Sequence, residues 1–156
     1  MKVYHTSATT VQHPDVLHSR EYLDFGKGFY VTTLREQAVK YAERFILRGR
    51  EAWLNVYELK DIEENYSVKH FLAYDAEWLD FVTECRKGTD ATNHDVVVGG
   101  IANDKVFRTI DLYFAGDIGK DEALRRLKYE KPNNQICIRS QQVLEKCLNF
   151  LTSQKL

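Results

Sequence analysis

The chain is poor in the residues that mark special architectures. It has two prolines, three cysteines and one methionine in 156 residues, which excludes collagen-like and disulfide-scaffold folds. Cys85, Cys137 and Cys147 stand at no metal-ligand spacing and are odd in number, so buried reduced thiols are expected rather than a bridge or a zinc site. Charge of one sign is also missing. Twenty-two lysines and arginines against 23 aspartates and glutamates leave a net charge of −1, so no large electrostatic footprint marks nucleic acid or an acidic membrane surface as partner. The most apolar runs, such as Val96-Val97-Val98, fall far short of the roughly 18 residues a membrane span needs. Met1-Lys2-Val3-Tyr4-His5 lacks a signal-peptide apolar stretch. These absences lead to an expectation of a cytoplasmic protein with no membrane association.

What is present describes an ordinary globular domain. At 44% hydrophobic and 29% charged residues, the chain carries enough apolar mass for one core, and its length fits a single domain over residues 1–156. No internal repeat appears, and Pro14 and Pro132 both fall in connecting segments.

Periodicity then divides the chain. Lys2–His5 is a strand candidate, followed by a long ordered loop to about residue 27. Gly28-Phe29-Tyr30-Val31-Thr32 is β-prone. Thr33 with Glu36 makes a capping-box pattern for a helix running to about Arg48, with Leu34, Ala38, Tyr41, Ala42 and Phe45 on one face and Gly49 as its C-terminal cap. Trp53–Leu59 and Tyr66–Phe71 read as strands around the acidic turn Asp61-Ile62-Glu63-Glu64-Asn65. A helix capped by Asp75 carries Trp78, Val82 and Cys85 to a stop at Gly88. Asp95–Val98 is a buried strand, Val106, Ile110, Tyr113 and Phe114 mark another helix, and Asp121–Lys128 a short one. Gln135–Ile138 is a late strand, and Val143, Leu144, Cys147 and Leu148 form a closing helix. Strands and helices do not alternate regularly, so the class is α+β with mixed, mostly antiparallel sheet.

Three segments carry candidate chemistry: Tyr4-His5-Thr6-Ser7, Asp24-Phe25-Gly26-Lys27-Gly28-Phe29-Tyr30, and Asn134-Gln135. Gly-Lys-Gly is not a phosphate-binding P-loop, which needs a longer spacing before a helix. Taken singly, the glycines fit a tight turn and His5 fits a strand cap. In this order, with Tyr30 and Tyr41 eleven residues apart, the segments resemble the ADP-ribosyltransferase fold of the His-Tyr-Glu type, the class that includes poly(ADP-ribose) polymerases. From about Tyr4 to Leu148 the chain is more closely similar to an uncharacterised bacterial domain family assigned to that fold. The recurring pieces are Pro14-Asp15, Ser19-Arg20, the Asp24–Tyr30 segment, Gln37-Ala38, Ala102-Asn103-Asp104 and Asn134-Gln135.

The resemblance implies two small, mostly antiparallel sheets flanked by helices, with a cleft for NAD between them. It places His5, Tyr30 and Gln135 at the positions of the class triad. His5 would hydrogen-bond the adenosine-side ribose. Tyr30 and Tyr41 would sandwich the nicotinamide ring, although Tyr41 also belongs to the apolar helix face. Thr6 stands where the class has glycine to bind the carboxamide. Ser7, Asp24, Gly28 and Phe29 complete the implied NAD contacts, and Arg20 is the candidate for the pyrophosphate. Arg35, Arg44, Arg48 and Arg50 read as a solvated helix face.

Gln135 replaces the glutamate that holds the nicotinamide-ribose hydroxyl and stabilises the oxocarbenium-like charge. An amide still hydrogen-bonds but takes no proton and brings no full negative charge. An auxiliary or acceptor carboxylate is sought at Asn103-Asp104, where Asp104 equally fits a helix cap. The implied reaction is NAD-dependent mono-ADP-ribosylation of a macromolecular acceptor, with NAD as substrate and no metal. A toxin with a neutralising partner protein is the implied setting. The alternatives are a catalytically inactive NAD- or ADP-ribose-binding module and an NAD-dependent RNA 2′-phosphotransferase.

Overall fold

Two small sheets meet edge to edge at one backbone bridge, and this junction organises the molecule. The computed structural model describes residues 1–18, 23–89, 92–100 and 104–156, without the side chain of Asp104. The strands are β1 (Lys2–Ser7), β2 (Phe29–Val31), β3 (Trp53–Leu59), β4 (Val68–His70), β5 (Val96–Gly99), β6 (Gln135–Ile138) and β7 (Leu148–Lys155). The helices are α1 (Arg35–Tyr41), α2 (Glu43–Ile46), α3 (Ile62–Asn65), α4 (Ala76–Arg86), α5 (Asp104–Phe114), α6 (Lys120–Leu127) and α7 (Gln141–Cys147), with a 3₁₀ turn at Val16–His18.

The first sheet has the order β1-β3-β7 and is antiparallel throughout. The second has the order β2-β6-β5-β4, antiparallel except for the β4–β5 pair. That parallel pair requires a crossover, and α4 supplies it. The expected α+β class with two mostly antiparallel sheets and flanking helices is therefore observed. Tyr4 and Thr32 join the sheets by reciprocal N–H···O=C bonds of 2.8 and 3.0 Å.

The pleat of the second sheet separates two cores. Phe29, Val31, Val96, Ile136 and Ile138 face Val3, Tyr57 and Leu59 of the first sheet, together with Val143, Leu144 and Cys147 of α7. Val97 and Cys137, on the other face, pack beneath Trp78, Leu79 and Val82 of α4, Val106 and Ile110 of α5, and Ala123 and Leu127 of α6. Burial on both faces explains why β5 is a continuous valine run rather than an alternation. The Trp78 indole N–H is satisfied by the Gly100 carbonyl at 3.1 Å. No helix among the described residues is long and apolar enough to cross a membrane.

Four local expectations are corrected. The Thr33–Glu36 capping box does not form: Leu34 occupies the cap position without a side-chain bond, because the Thr33 hydroxyl donates to Asn134 instead. The long helix breaks at Ala42 into α1 and α2. The acidic turn after β3 is the helical turn α3. Leu148 does not end the closing helix but starts β7, which pairs with β3 across a bulge at Val56/Tyr57. By contrast, α4 starts where its cap residue predicts, the Asp75 carboxylate accepting the Trp78 N–H at 2.9 Å. Gly88, φ 86°, follows its C-terminal turn.

Candidate functional site

Beyond the Tyr4–Thr32 bridge, side chains rather than a ladder hold β1 and β2 together. His5 Nδ1 lies 2.7 Å from the Tyr30 carbonyl oxygen. A carbonyl only accepts, so Nδ1 carries the proton. Burial lowers the imidazole pKa against the raising effect of that bond. The ring is therefore neutral at pH 7, with Nε2 left as an acceptor. It lies on Phe29, centroid to centroid 4.4 Å. Thr6 is buried, and its hydroxyl donates to the Ala38 carbonyl of α1 at 2.5 Å. Ser7 donates to the Thr9 carbonyl at 2.5 Å and accepts from Asn55 Nδ2 at 2.9 Å.

Asn55, fully buried in β3, is a residue the sequence reading missed. Its Oδ1 accepts from the Val11 N–H at 2.9 Å and the Ser153 hydroxyl at 3.1 Å, while Nδ2 also reaches the His5 carbonyl at 3.3 Å. It pins the loop after β1 to the central strand. An asparagine within Trp53-Leu54-Asn55-Val56-Tyr57 was the available signal, since that type is depleted in strands.

The glycine loop serves the chain's own packing. Gly26 has φ 78°, a conformation that suits glycine. A Cβ on Gly28 would stand 2.6 Å from Cys137 Sγ and 2.8 Å from the Ile138 carbonyl oxygen. The Tyr30 hydroxyl donates to the Gly26 carbonyl and accepts from the Phe25 N–H, and burial pushes its pKa well up. Burial likewise pushes the Cys137 thiol up to about 12, leaving it protonated. Phe29 is buried between His5 and Tyr57. Asp24 pairs with Arg86 Nε at 2.9 Å, and the same guanidinium reaches Asp111 at 3.0 Å and covers the Phe107 ring.

The third segment docks on the first two. Tyr30 pairs with Cys137 across β2–β6, so Gln135, two residues before Cys137, is on the same face of the sheet as Tyr30. Asn134 collects the donors nearby. Its backbone oxygen accepts the Thr32 hydroxyl at 2.7 Å and Gln37 Nε2 at 3.1 Å. Its Oδ1 accepts the Thr33 N–H at 3.0 Å and the Thr33 hydroxyl at 2.8 Å. Gln37 Oε1 and Gln135 Oε1 are both shut off from solvent and receive no donor, a penalty of about 1–3 kcal/mol for each buried acceptor left unpaired.

His5, Thr6, Tyr30 and Gln135 thus lie on strands that meet at one junction, with Gln37 and Asn134 beside them, but the His5 ring packs on Phe29 whereas the side chains of Tyr30 and Gln135 are on the opposite face of the second sheet. Tyr41, at the end of α1, is half-buried, edge-on to Phe45 at 5.9 Å and beneath the Arg44 guanidinium at 5.0 Å. Ser19, Arg20 and Asn103 lie outside the described residues, as does the Asp104 side chain. No carboxylate among the described residues hydrogen-bonds to the side chains of His5, Tyr30, Gln37 or Gln135. Among the described residues, no group of three or more His, Cys, Asp or Glu side chains could hold a metal ion.

A family model described as a protein of unknown function, DUF3990, matches residues 1–150. The chain belongs to the DUF3990 family. The match spans every residue of the junction, so the site is part of the DUF3990 domain itself and not of an appended segment. No curated protein matches the chain.

Proposed function

We propose that this DUF3990 chain binds NAD at the junction of β1, β2, α1 and the start of β6, and transfers ADP-ribose to a macromolecular acceptor with release of nicotinamide. The observation that carries the reading is that His5 bonds the main chain of Tyr30 at the β1–β2 junction, while Gln135 lies on the same face of β2–β6 as Tyr30. In the reaction the C1′–N bond to nicotinamide breaks with its electron pair leaving on the ring nitrogen. The acceptor nucleophile closes the new bond to C1′ and gives up its proton to solvent. His5, neutral with Nε2 free to accept, suits a ribose hydroxyl; Gln135 offers a dipole where a glutamate would offer charge. Loss of one strong electrostatic contact lowers a rate by about 10²–10³, which fits slow mono-transfer and not polymer growth. A toxin restrained by a neutralising partner protein is the setting this reading implies.

One observation favours a second reading, an NAD- or ADP-ribose-binding module without turnover: the third position is a neutral amide, and no described carboxylate hydrogen-bonds to the triad side chains.

Labelled NAD and a cell extract, incubated with wild type or His5→Ala, separate the two. Nicotinamide release with label on protein, DNA or RNA from wild type alone is the expected result. Binding by calorimetry with no release selects the module, and absence of both binding and release overturns the site. Gln135→Glu is expected to raise nicotinamide release about 10²–10³-fold. A carboxyl at this buried position is held above its ordinary pKa by desolvation, so the gain should grow as pH rises. A fall in release at every pH would mean that the amide's donor group is needed.

A further inference from the structure

The chain as a whole has a net charge of −1, yet its cations are not spread evenly. Residues 35–50 carry five, Arg35, Lys40, Arg44, Arg48 and Arg50, against two acids, Glu36 and Glu43. Lys40, Arg44 and Arg48 are exposed and stand four residues apart. The backbone keeps helical dihedrals through the break at Ala42 (φ −59°, ψ −27°) and at Leu47 (φ −62°, ψ −21°), so the three form one row with steps of about 6 Å along the axis. Like charges at this spacing repel. Among the described residues, no carboxylate lies within ion-pair distance of these three or of Arg50. Glu51, the next acid along the chain, is taken by Lys155 at 2.7 Å.

Two of the guanidiniums are held in place on aromatic rings. Arg44 lies over Tyr41 at 5.0 Å and Arg50 over Phe45 at 5.6 Å, and the two rings are edge-on to each other at 5.9 Å. Gly49, φ 70°, turns the chain so that the Arg50 N–H returns to the Phe45 carbonyl at 3.0 Å. A guanidinium resting on a ring has given up part of its freedom before a ligand arrives, which lowers the cost of binding. A helix C-terminus favours cations in its last turn, but that does not account for guanidiniums laid on rings or for Arg50, which lies beyond the helix.

The complement of such a row is an anion repeated at a similar step, as the phosphates of an extended nucleic-acid strand are. Guanidinium forks suit phosphate oxygens. Aromatic rings interleaved with cations suit unpaired bases, which stack on rings and on guanidinium planes alike. An anionic bilayer fits less well. Of the two exposed apolar residues at this end, Leu47 borders the row, but Ile46, two residues from Arg44, is on the opposite side of the helix. No continuous apolar face accompanies the charges.

We propose that Lys40, Arg44, Arg48 and Arg50 form a binding surface for single-stranded nucleic acid, in which the cations meet successive phosphates and the Arg44–Tyr41 and Arg50–Phe45 stacks meet bases. The surface does not rest on the NAD reading, and its test contains no NAD.

Fluorescence anisotropy on the full chain reads binding of labelled single-stranded DNA and RNA of mixed sequence, about twelve nucleotides long. Four phosphate contacts give log K against log[salt] a slope of about −3, so affinity should fall about 50-fold between about 50 and 200 mM salt. Arg44→Gln with Arg48→Gln should halve that slope. Arg125→Gln with Arg126→Gln is the control, since it removes the same charge from cations paired with Glu122 on α6, and it should leave affinity and slope unchanged. All four side chains are exposed, so neither double variant threatens the fold. Equal weakening by the two double variants would make binding a matter of net charge and overturn the proposal. Absence of binding to either oligonucleotide at low salt also overturns it, and association with phosphatidylserine vesicles in its place would assign the surface to a membrane.

Discussion

Gly28→Ala tests whether the glycine before β2 is required by close packing. The added Cβ would meet Cys137 Sγ at 2.6 Å and the Ile138 carbonyl oxygen at 2.8 Å, roughly 1 Å inside ordinary contact distance. Neither neighbour yields easily, since Cys137 is fully buried and Ile138 pairs with Phe29 in the β2–β6 ladder. Overpacking of this kind destabilises by about 1–3 kcal/mol, and two obstructed directions place the substitution near the upper end, about 3 kcal/mol. For a chain of this length that lowers the thermal midpoint by about 6–12 °C. Scanning calorimetry reads it directly. Cys137→Ala in the same chain removes the sulfur but not the Ile138 oxygen, so the double variant should be about 1 kcal/mol more stable than the sum of the single effects. Gly119→Ser is the control: φ is −81° and a Cβ there meets nothing within 4 Å, so the change should stay within about 0.5 kcal/mol. A Gly28→Ala midpoint within about 2 °C of wild type, or strict additivity with Cys137→Ala, would refute the packing argument.

Two further outcomes are expected. The lowered pKa of His5 means that the unfolded chain binds more protons than the folded one between the lowered value and the ordinary value near 6.5. Stability should fall as pH drops through that window, by up to about 1.4 kcal/mol per pH unit. Midpoints of His5→Gln and wild type measured from pH 7.5 to 5 should show a shallower slope for the variant; parallel curves would show that His5 does not titrate as buried. Arg86→Leu deprives Asp24 of a guanidinium in a pair whose side chains are 11% and 17% exposed, and should cost about 2–3 kcal/mol, less than a fully enclosed pair. Urea unfolding measures it, and a loss under about 0.5 kcal/mol would mean that the pair is not a support of the fold.

Most elements were legible because their signals are local. Asp75 and Gly88 bracket α4 as caps do, and the apolar run Ile136–Ile138 after two asparagines marks β6 to the residue. β7 was not legible. Only Leu148 among its residues is buried, so the strand has no alternation to read and exists through its ladder to β3. The failed capping box has the same origin, because a hydroxyl that fits a local cap was taken by a partner about a hundred residues away. At the junction, the sequence could name His5, Tyr30 and Gln135 by order and residue type, and the structure puts them on strands that meet. Gln37 and Asn134 appear in the recurring segments, but their parts depend on which donors reach Asn134, and that is decided only when α1 and β6 pack together.

The junction owes its polar character to where the two sheets separate. β1 and β2 are joined in the ladder only at Tyr4–Thr32; beyond it the His5 ring bonds across to the Tyr30 carbonyl, while the hydroxyls of Thr6, Thr32 and Thr33 tie the two strands to α1 and to Asn134. Buried groups must be hydrogen-bonded or neutral to be tolerated there, and the residues present are neutral: an uncharged imidazole, hydroxyls and amides. A glutamate at position 135 would replace a buried amide oxygen that has no hydrogen-bond donor, and desolvation would hold it protonated in the ligand-free chain. Glutamine avoids that penalty and keeps a neutral acceptor. On the NAD reading the resulting deficit falls on the transition state, where positive charge grows on the ribose, and not on ground-state binding. Replacing the amide by a carboxylate should therefore act on kcat and leave KM nearly unchanged.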